Sequence, residues 1–180
     1  MPCNITSTIA LDCIDNLGGV KAAWFSTDFD YTSITTGLTG IDSVSGGSGN
    51  FYEYQLPKDT ANFVETFTIS QTNGTAFYSQ ALTINLHKLE TAKRNELLLL
   101  SKNRDTRAIF QDGNGKFWIM GLTRGASTTA GSSNTGTAPG DANNYIITLT
   151  ADEPDMAYQI EGSTISDVDT VFTGVTFSNV

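Results

Sequence analysis

Hydrophobic and polar residues alternate along much of this chain with a period of two, which is the pattern of half-buried β-strands. In NFVETFTIS, residues 62–70, one set of alternate positions is mostly apolar and the other mostly polar. Residues 75–87 alternate in the same way, and Asn73-Gly74 between the two runs is the strongest short signal for a hairpin turn. We therefore predict a long antiparallel hairpin at residues 62–88 that forms the core of the fold. The side chains expected to be buried are Phe67, Ile69, Leu82, Ile84 and Leu86.

Shorter runs of apolar and β-branched residues predict further strands around this hairpin. They lie at residues 3–12, 20–28, 51–56, 106–111, 116–121 and 145–151. Gly18-Gly19 supplies the turn between the first two, and the sequence DGNG at residues 112–115 supplies the turn of a second hairpin. The chain is thus expected to be mainly β, an antiparallel β-sandwich or barrel-like fold.

One segment has the composition of a helix. TAKRNELLLLSK, within about residues 90–102, contains strong helix formers and neither glycine nor proline, and Thr91 is placed to cap its start. Leu97, Leu98 and Leu100 form an apolar stripe. About three helical turns are too few to be stable alone, so this helix is expected to dock its leucines on a sheet.

Composition and charge narrow the class of protein. The 180 residues are expected to form a single domain, 1–180, and seventeen glycines with only four prolines favour a β-rich fold with many turns. The net charge of −9 argues against a nucleic-acid-binding surface, which needs clustered Lys and Arg. No apolar run approaches the ~20 residues that span a bilayer, and no secretory signal is visible. Cys3 and Cys13 are expected to be two buried or idle thiols in a protein made in the cytoplasm.

Candidate catalytic and metal-binding residues are few. His87, the single histidine, falls on the polar face of a predicted strand with no Ser or Cys motif near it. The turn at 112–115 faintly resembles a calcium loop, but Thr123 stands where the twelfth-position acid belongs. Two acidic groups are expected to be solvated loop residues, namely Asp152, Glu153 and Asp155, and Asp167 with Asp169. We therefore expect no enzymatic activity, no cofactor and no metal site.

Two segments are expected to be long polar loops. Residues 37–50 are rich in glycine, and residues 125–144 have low complexity and lack the GK[ST] of a phosphate-binding loop.

The order of the predicted elements resembles that of phage tail tube proteins, a family related in fold to type VI secretion tube proteins. The resemblance covers roughly residues 60–160. It rests on the order hairpin, helix, hairpin, loop and strand, and on the residue patterns of LTINLHKLETAKRNELLLL, AIFQDGNGKFWIMG and NNYIITLTADEP. The glycine-rich segment before residue 50 and the long loop at 125–144 depart from the family pattern.

The resemblance implies a structural virion protein located in the tail after synthesis in the host cytoplasm. In that family two sheets and one helix form a subunit, and six subunits close into a ring that stacks into a tube. The implied partners are further copies of the chain and other virion tail proteins, with genomic DNA only in transit and no membrane. Six copies would carry 6 × −9 = −54 charges, a sign that repels DNA.

The family also places contacts between rings in loops like residues 37–50. That segment is too flexible to order itself, so we expect it to be mobile in a monomer and fixed on assembly. Its expected subunit contacts are Ile41, Val44, Phe51 and Tyr52, buried by a partner.

Two other classes of protein fit the same pattern. One is a different virion component, such as a head–tail connector, a tail hub or a capsid decoration protein. The other is a carbohydrate-binding β-sandwich, whose binding face would use aromatic residues such as Trp24 and Trp118. Self-assembly into rings or filaments separates the tube protein from a monomeric binding module.

Overall fold

The computed structural model describes residues 7–11, 13–37 and 40–179, and in these ranges the chain is mainly β, as predicted. The strands are β1 Val20–Ser26, β2 Ser33–Thr36, β3 Ile41–Ser45, β4 Asn50–Gln55, β5 Asn62–Ser70, β6 Thr75–His87, β7 Arg107–Asp112, β8 Phe117–Met120, β9 Ser127–Asn134, β10 Asn144–Glu153, β11 Tyr158–Ile160 and β12 Thr176–Ser178. The helices are α1 Thr91–Lys102 and α2 Ile165–Val171. The strand predicted at 3–12 is absent from residues 7–11, and residues 3–6 and 12 lie outside the described residues.

The strands form two sheets. Eight strands follow the order β12-β4-β1-β7-β8-β11-β3-β2, and four follow the order β5-β6-β10-β9. In the larger sheet β12 pairs with β4, and β11 with β3, in parallel, so the sheet is mixed rather than purely antiparallel. The four-stranded sheet is antiparallel throughout.

The central strands of the larger sheet are buried on both faces. On β1, Ala23 and Phe25 lie in a core shared with the four-stranded sheet, while Trp24 between them points into a second core. On β7, Phe110 belongs to the first core and Ile109 to the second. This two-sided burial explains why these strands read as nearly continuous apolar runs.

Helix α1 confirms the helix predicted at about 90–102. Leu97 and Leu100 are buried in the first core, whereas Leu98 remains 40% exposed. The predicted cap was wrong, because Thr91 is the first helical residue and the N-cap is Glu90, which makes no side-chain cap hydrogen bond. Glu90 instead forms ion pairs with Lys88 and Lys93.

Helix α2 was not predicted. Its N-cap Thr164 accepts a hydrogen bond from the Asp167 backbone N–H, and the Asp167 carboxylate accepts one from the Thr164 backbone N–H at 2.9 Å. Backbone hydrogen bonds from Ser163 and Thr164 hold the pKa of Asp167 below its usual value. The helix buries Val168 and Val171 in the second core, so it closes that core from outside.

The two predicted loops each contain a strand, which corrects the expectation of long irregular segments. Residues 41–45 of the first form β3, paired with β2 and β11, and residues 127–134 of the second form β9, paired with β10. A strand supplies backbone partners that a loop of this length would lack.

Tyr54 on β4 gives a pH-dependent test of how α1 docks. Its ring packs edge-on against Phe25 with centroids 4.9 Å apart, and burial, aided by the charge of Glu96, raises the pKa of Tyr54 to about 12. The unfolded chain therefore loses this proton first as the pH rises past about 10. We expect the free energy of unfolding to fall between pH 10 and 12, and to fall less in Tyr54→Phe. Denaturant titrations across this range measure it, with Tyr52→Phe at an exposed position as the control; equal slopes in Tyr54→Phe and the parent chain would contradict it.

Candidate functional site: the four-stranded sheet

The hairpin of β5 and β6 confirms the prediction for residues 62–88. The two strands pair antiparallel from Asn62 opposite Thr83 to Ser70 opposite Thr75. Gly74 adopts φ of +63° in the connecting turn, a conformation that glycine accepts without a steric penalty. The Asn-Gly signal thus located the turn but not the register, because the turn has four residues, 71–74, rather than two.

Burial along the inner face of this hairpin is only half as predicted. Leu82, Ile84 and Leu86 are buried, as expected. Phe67 and Ile69 are 56% and 70% exposed, so their predicted burial was wrong. They occupy inward-facing positions in the half of the hairpin nearest the turn, and neither of the two cores formed by the described residues includes them. That half presents an apolar strip to solvent.

A buried polar contact marks where the covered half ends. Gln80 is almost fully buried; its Nε2 donates to Glu65 Oε1 at 3.0 Å, and its Oε1 accepts from the Gly121 N–H at 3.0 Å. Glu65 Oε1 also accepts from the Ala157 N–H at 2.8 Å. These bonds tie the hairpin to the segments that flank β8 and β11, and a buried amide with both ends paired fixes geometry. A glutamine in an alternating strand carries no sequence signal for this role.

Both outer strands of the sheet have an open edge. β5 pairs only with β6, and β9 pairs only with β10, within the described residues. Their lengths match closely, nine residues for β5 and eight for β9. Open edges of this length carry backbone groups that are free to pair with another strand.

Over the described strands β5, β6, β9 and β10, the outward face of the sheet carries mostly small and polar side chains and no lysine or arginine, and its histidine is His87 at the end of β6. Its members alternate with the core residues and include Thr66, Thr68, Ser79, Thr83, Asn85, Thr148, Thr150, Asp152 and Ser132. Thr83 and Thr148 are joined across the strands by a 3.0 Å hydrogen bond between their hydroxyls. The single acid of these four strands that points outward is Asp152. Such a face has no lysine or arginine to neutralise phosphate.

A groove runs along the inward side of the β9 edge, between that strand and α1. It has a volume of about 260 Å³, and Leu97, Leu98, Gly131, Tyr145 and Ile147 are among the residues that line it. Gly131 has no side chain to fill it. Apolar surface is therefore reachable from solvent at this edge, as it is at the β5 edge.

The candidate catalytic and metal-binding residues are dispersed or used structurally. His87 is exposed at the end of β6, and its carbonyl accepts a hydrogen bond from Lys93 Nζ at 2.7 Å. Glu153 is buried and accepts from the N–H groups of Thr123 and Arg124 at 3.0 and 2.8 Å. Among the described residues, no group of three or more His, Cys, Asp or Glu is placed to hold a metal ion.

The acids of the 112–115 turn and of the α2 start likewise have structural partners. Asp112 accepts from the N–H groups of Asn114 and Lys116, both at 2.9 Å, and from Trp118 Nε1 at 3.1 Å. This confirms the second hairpin, in which β7 pairs with β8. A hairpin turn accounts for the residues that resemble a calcium loop.

An open cavity of about 420 Å³ lies beside the base of the first hairpin. Apolar side chains such as Leu17, Phe63, Trp118 and Met156 line much of it. Its two carboxylates, Glu65 and Asp112, both accept hydrogen bonds from other residues of the subunit.

The predicted subunit contacts fall into two groups. Ile41, Val44 and Phe51 are fully buried in the second core, so they need no partner to bury them, and the reasoning that a neighbour must cover them was wrong. Tyr52, on the opposite face of β4, is 54% exposed and stays a predicted contact.

Comparison with protein family models, curated proteins and solved structures finds no match for this chain. In the part of the chain that the structure describes, neither helix has the length and apolar character needed to cross a membrane.

Proposed function

We propose that this protein is a structural subunit that assembles with itself, its four-stranded sheets joining edge to edge into a closed ring. Six copies form a ring, and stacked rings form the tube of a phage tail through which DNA passes. The observation that carries this proposal is the pair of open edges, β5 and β9, at opposite ends of one antiparallel sheet. A ring in which each β9 meets the β5 of the next copy leaves no free edge in these sheets.

Strand direction supports this pairing. The four strands alternate in direction, so β5 and β9 run opposite to each other. Copies in a ring are related by rotation about the axis through its centre, which keeps the direction of each strand relative to that axis. The β5 of one copy is therefore antiparallel to the β9 of the next copy. The contact uses two different surfaces of the chain, which is the condition for a ring rather than a closed dimer.

The stagger of the two edges also supports closure. Val64, Ala81, Thr150 and Ser127 form one row across the sheet. Thr66, the middle residue of β5, lies two residues from this row in the direction of the hairpin turn. Ala130, near the middle of β9, lies in the row of Thr83, which is two residues from Ala81 in the opposite direction. Joining the two middles advances the sheet by about four residues, or ~13 Å, for each four strands, or ~19 Å. The resulting strand tilt of about 35° is within the range of closed β-barrels.

The ring would place the outward face of each sheet toward the lumen. Since that face has hydroxyl, amide, small and a few apolar side chains, with Asp152 as its acid and His87 as its histidine, DNA would find no lysine or arginine to bind there. The chain's net charge of −9 acts in the same direction over longer distances. A polar, non-basic wall lets a polyanion move without adhering.

Proline substitutions at two adjacent positions of β9 test the edge contact. Neighbouring residues of a strand point their N–H groups to opposite sides, so of Ser132→Pro and Ser133→Pro one removes a bond to β10 and the other an outward donor. We expect the variant that loses a hydrogen bond to β10 to be less stable than the parent chain. We expect the variant that loses the outward donor to keep its fold, measured by circular dichroism. That variant should remain monomeric in analytical ultracentrifugation at concentrations where the parent chain forms rings. A stable proline variant that assembles like the parent would contradict the edge contact.

A further inference from the structure

We propose that the ring of Phe67 docks into the groove between α1 and β9 of the next copy, on the floor left open by Gly131. This inference rests on the proposed edge pairing and names the side chains that make it specific. It identifies a second surface of the same interface, on the inward side of the sheet, that holds the strands in register.

The side chain of Phe67 is exposed and already held in position by a neighbouring ring. Its side chain is 56% exposed, and its ring packs edge-on against Tyr78 of the adjacent strand with centroids 5.3 Å apart. That contact restrains the ring before any partner arrives, which lowers the entropy lost on binding. Ile69, 70% exposed, lies two residues further along the same face of the edge strand.

The groove is a matching recess on the other edge. Leu98 of α1, 40% exposed, stands at its rim, and Tyr145 and Ile147 lie on its sheet side. A side chain at Gly131 would fit the subunit, because an added Cβ would meet the Ile146 carbonyl oxygen at 3.6 Å and Ile147 Cγ1 at 3.8 Å, which are ordinary contacts. The fold therefore does not demand glycine at this position. What glycine provides here is space.

The register of the edge pairing brings the two features together. Phe67 and Gly131 both point to the inward face, since Phe67 is opposite Tyr78 and Gly131 is opposite Ile147. Only even staggers keep inward residues together. A stagger of six residues, or ~20 Å for each ~19 Å of sheet, tilts the strands by about 45° and places Phe67 directly opposite Gly131. The stagger of four that joins the two strand middles places Phe67 opposite Thr128, so the proposed contact requires the larger stagger. A second copy of this chain is the occupant, because the same pairing that satisfies the β9 edge delivers Phe67 to the groove.

Two substitutions test the contact from its two sides. Phe67→Ala removes the ring, and Gly131→Val fills the groove with a side chain suited to a strand. Each is expected to weaken assembly at least tenfold, measured by sedimentation velocity over a concentration series, while the melting temperature of the monomer stays near that of the parent. The matched controls are Thr68→Ala, on the outward face of the same strand, and Gly140→Val, where an added Cβ meets nothing within 4 Å. Both controls should assemble as the parent does.

Mixing the two variants separates this contact from a general loss of assembly. The Gly131→Val chain keeps Phe67, and the Phe67→Ala chain keeps the groove, so one intact contact can form between them. We expect each variant alone to be monomeric at a concentration where the equimolar mixture forms a 1:1 dimer. A mixture with no dimer, or variants that assemble as well as the parent, would overturn the inference. If the two variants assemble as well as the parent chain, the β9 proline variants still test the edge pairing independently. A parent chain that stays monomeric would overturn both the edge pairing and the Phe67 contact.

Discussion

Ile84→Ala is expected to lower the free energy of unfolding by about 2–5 kcal/mol, the range for truncating a large buried aliphatic side chain. Ile84 is fully buried at the centre of the four-stranded sheet and belongs to the core shared by both sheets and α1. Its partner across the strands is Ile147 on β10. Removing three carbon atoms there leaves a cavity that this packed neighbourhood fills only in part. For a domain of ordinary stability that is a large share of the total.

Ile69→Ala is the matched control, because it makes the same chemical change on the same face of the same hairpin. Ile69 is 70% exposed, so its truncation should change the unfolding free energy of the monomer by less than about 0.5 kcal/mol. Urea or guanidinium titration of the two variants at a concentration that keeps them monomeric gives both values. Similar losses in the two variants would mean that the turn half of the hairpin is covered in the isolated subunit.

Lysines on the outward face of the sheet are expected to make the proposed tube bind DNA, which we expect the parent assembly not to bind. Thr66→Lys with Thr68→Lys adds two cations per chain at exposed positions of β5, or about twelve in a ring of six. Phosphate contacts dominate affinity for DNA and make it depend steeply on salt. We expect the assembled double variant to retain short duplex DNA at low salt and to release it as salt rises, whereas the parent assembly retains none.

The control for this prediction adds the same charge elsewhere. Ser166→Lys with Thr170→Lys places two cations on the exposed side of α2. This helix packs on the second core, which includes no residue of the four-stranded sheet. Fluorescence anisotropy of labelled duplex with each assembly measures the difference. Equal binding by both double variants would show that net charge, rather than the position of the face in the ring, controls contact with DNA.

The regular features of this fold were predictable because they follow local rules. Strict alternation and one Asn-Gly turn fixed the β5–β6 hairpin, and composition fixed α1. Alternation of polar and apolar residues could not predict which half of the hairpin is covered by the core. Ile69 and Ile84 both occupy apolar positions of alternating strands, but Ile84 is buried and Ile69 is exposed. That difference depends on which distant segments lie across the sheet.

The strands in the glycine-rich and low-complexity segments escaped prediction for two physical reasons. In β3, an irregularity in the pairing with β2 brings Ile41 and Val44, three residues apart, to the same buried core, so no period of two is visible. In β9, polar and small residues occupy both faces of an edge strand, so tertiary pairing rather than hydrophobicity makes it a strand. Helix α2 did have a signal, the capping pair Thr164 and Asp167.

The place of the candidate site was not predictable from the sequence. The resemblance to tube proteins led to the expectation of self-assembly through the glycine-rich segment at residues 37–50, and self-assembly stays a prediction. Ile41, Val44 and Phe51 instead complete the subunit's own second core. The surface that we propose for assembly lies on β5 and β9, and the position of these strands at the two edges of the sheet follows from the order of the four strands, which the sequence pattern does not give.

Negative-stain electron microscopy of the purified chain at high concentration tests the central proposal most directly. The account predicts closed rings of about six subunits and tubes of stacked rings, and it predicts that the β9 proline variant with intact stability forms neither. Particles that remain single subunits of 180 residues at every concentration would contradict it.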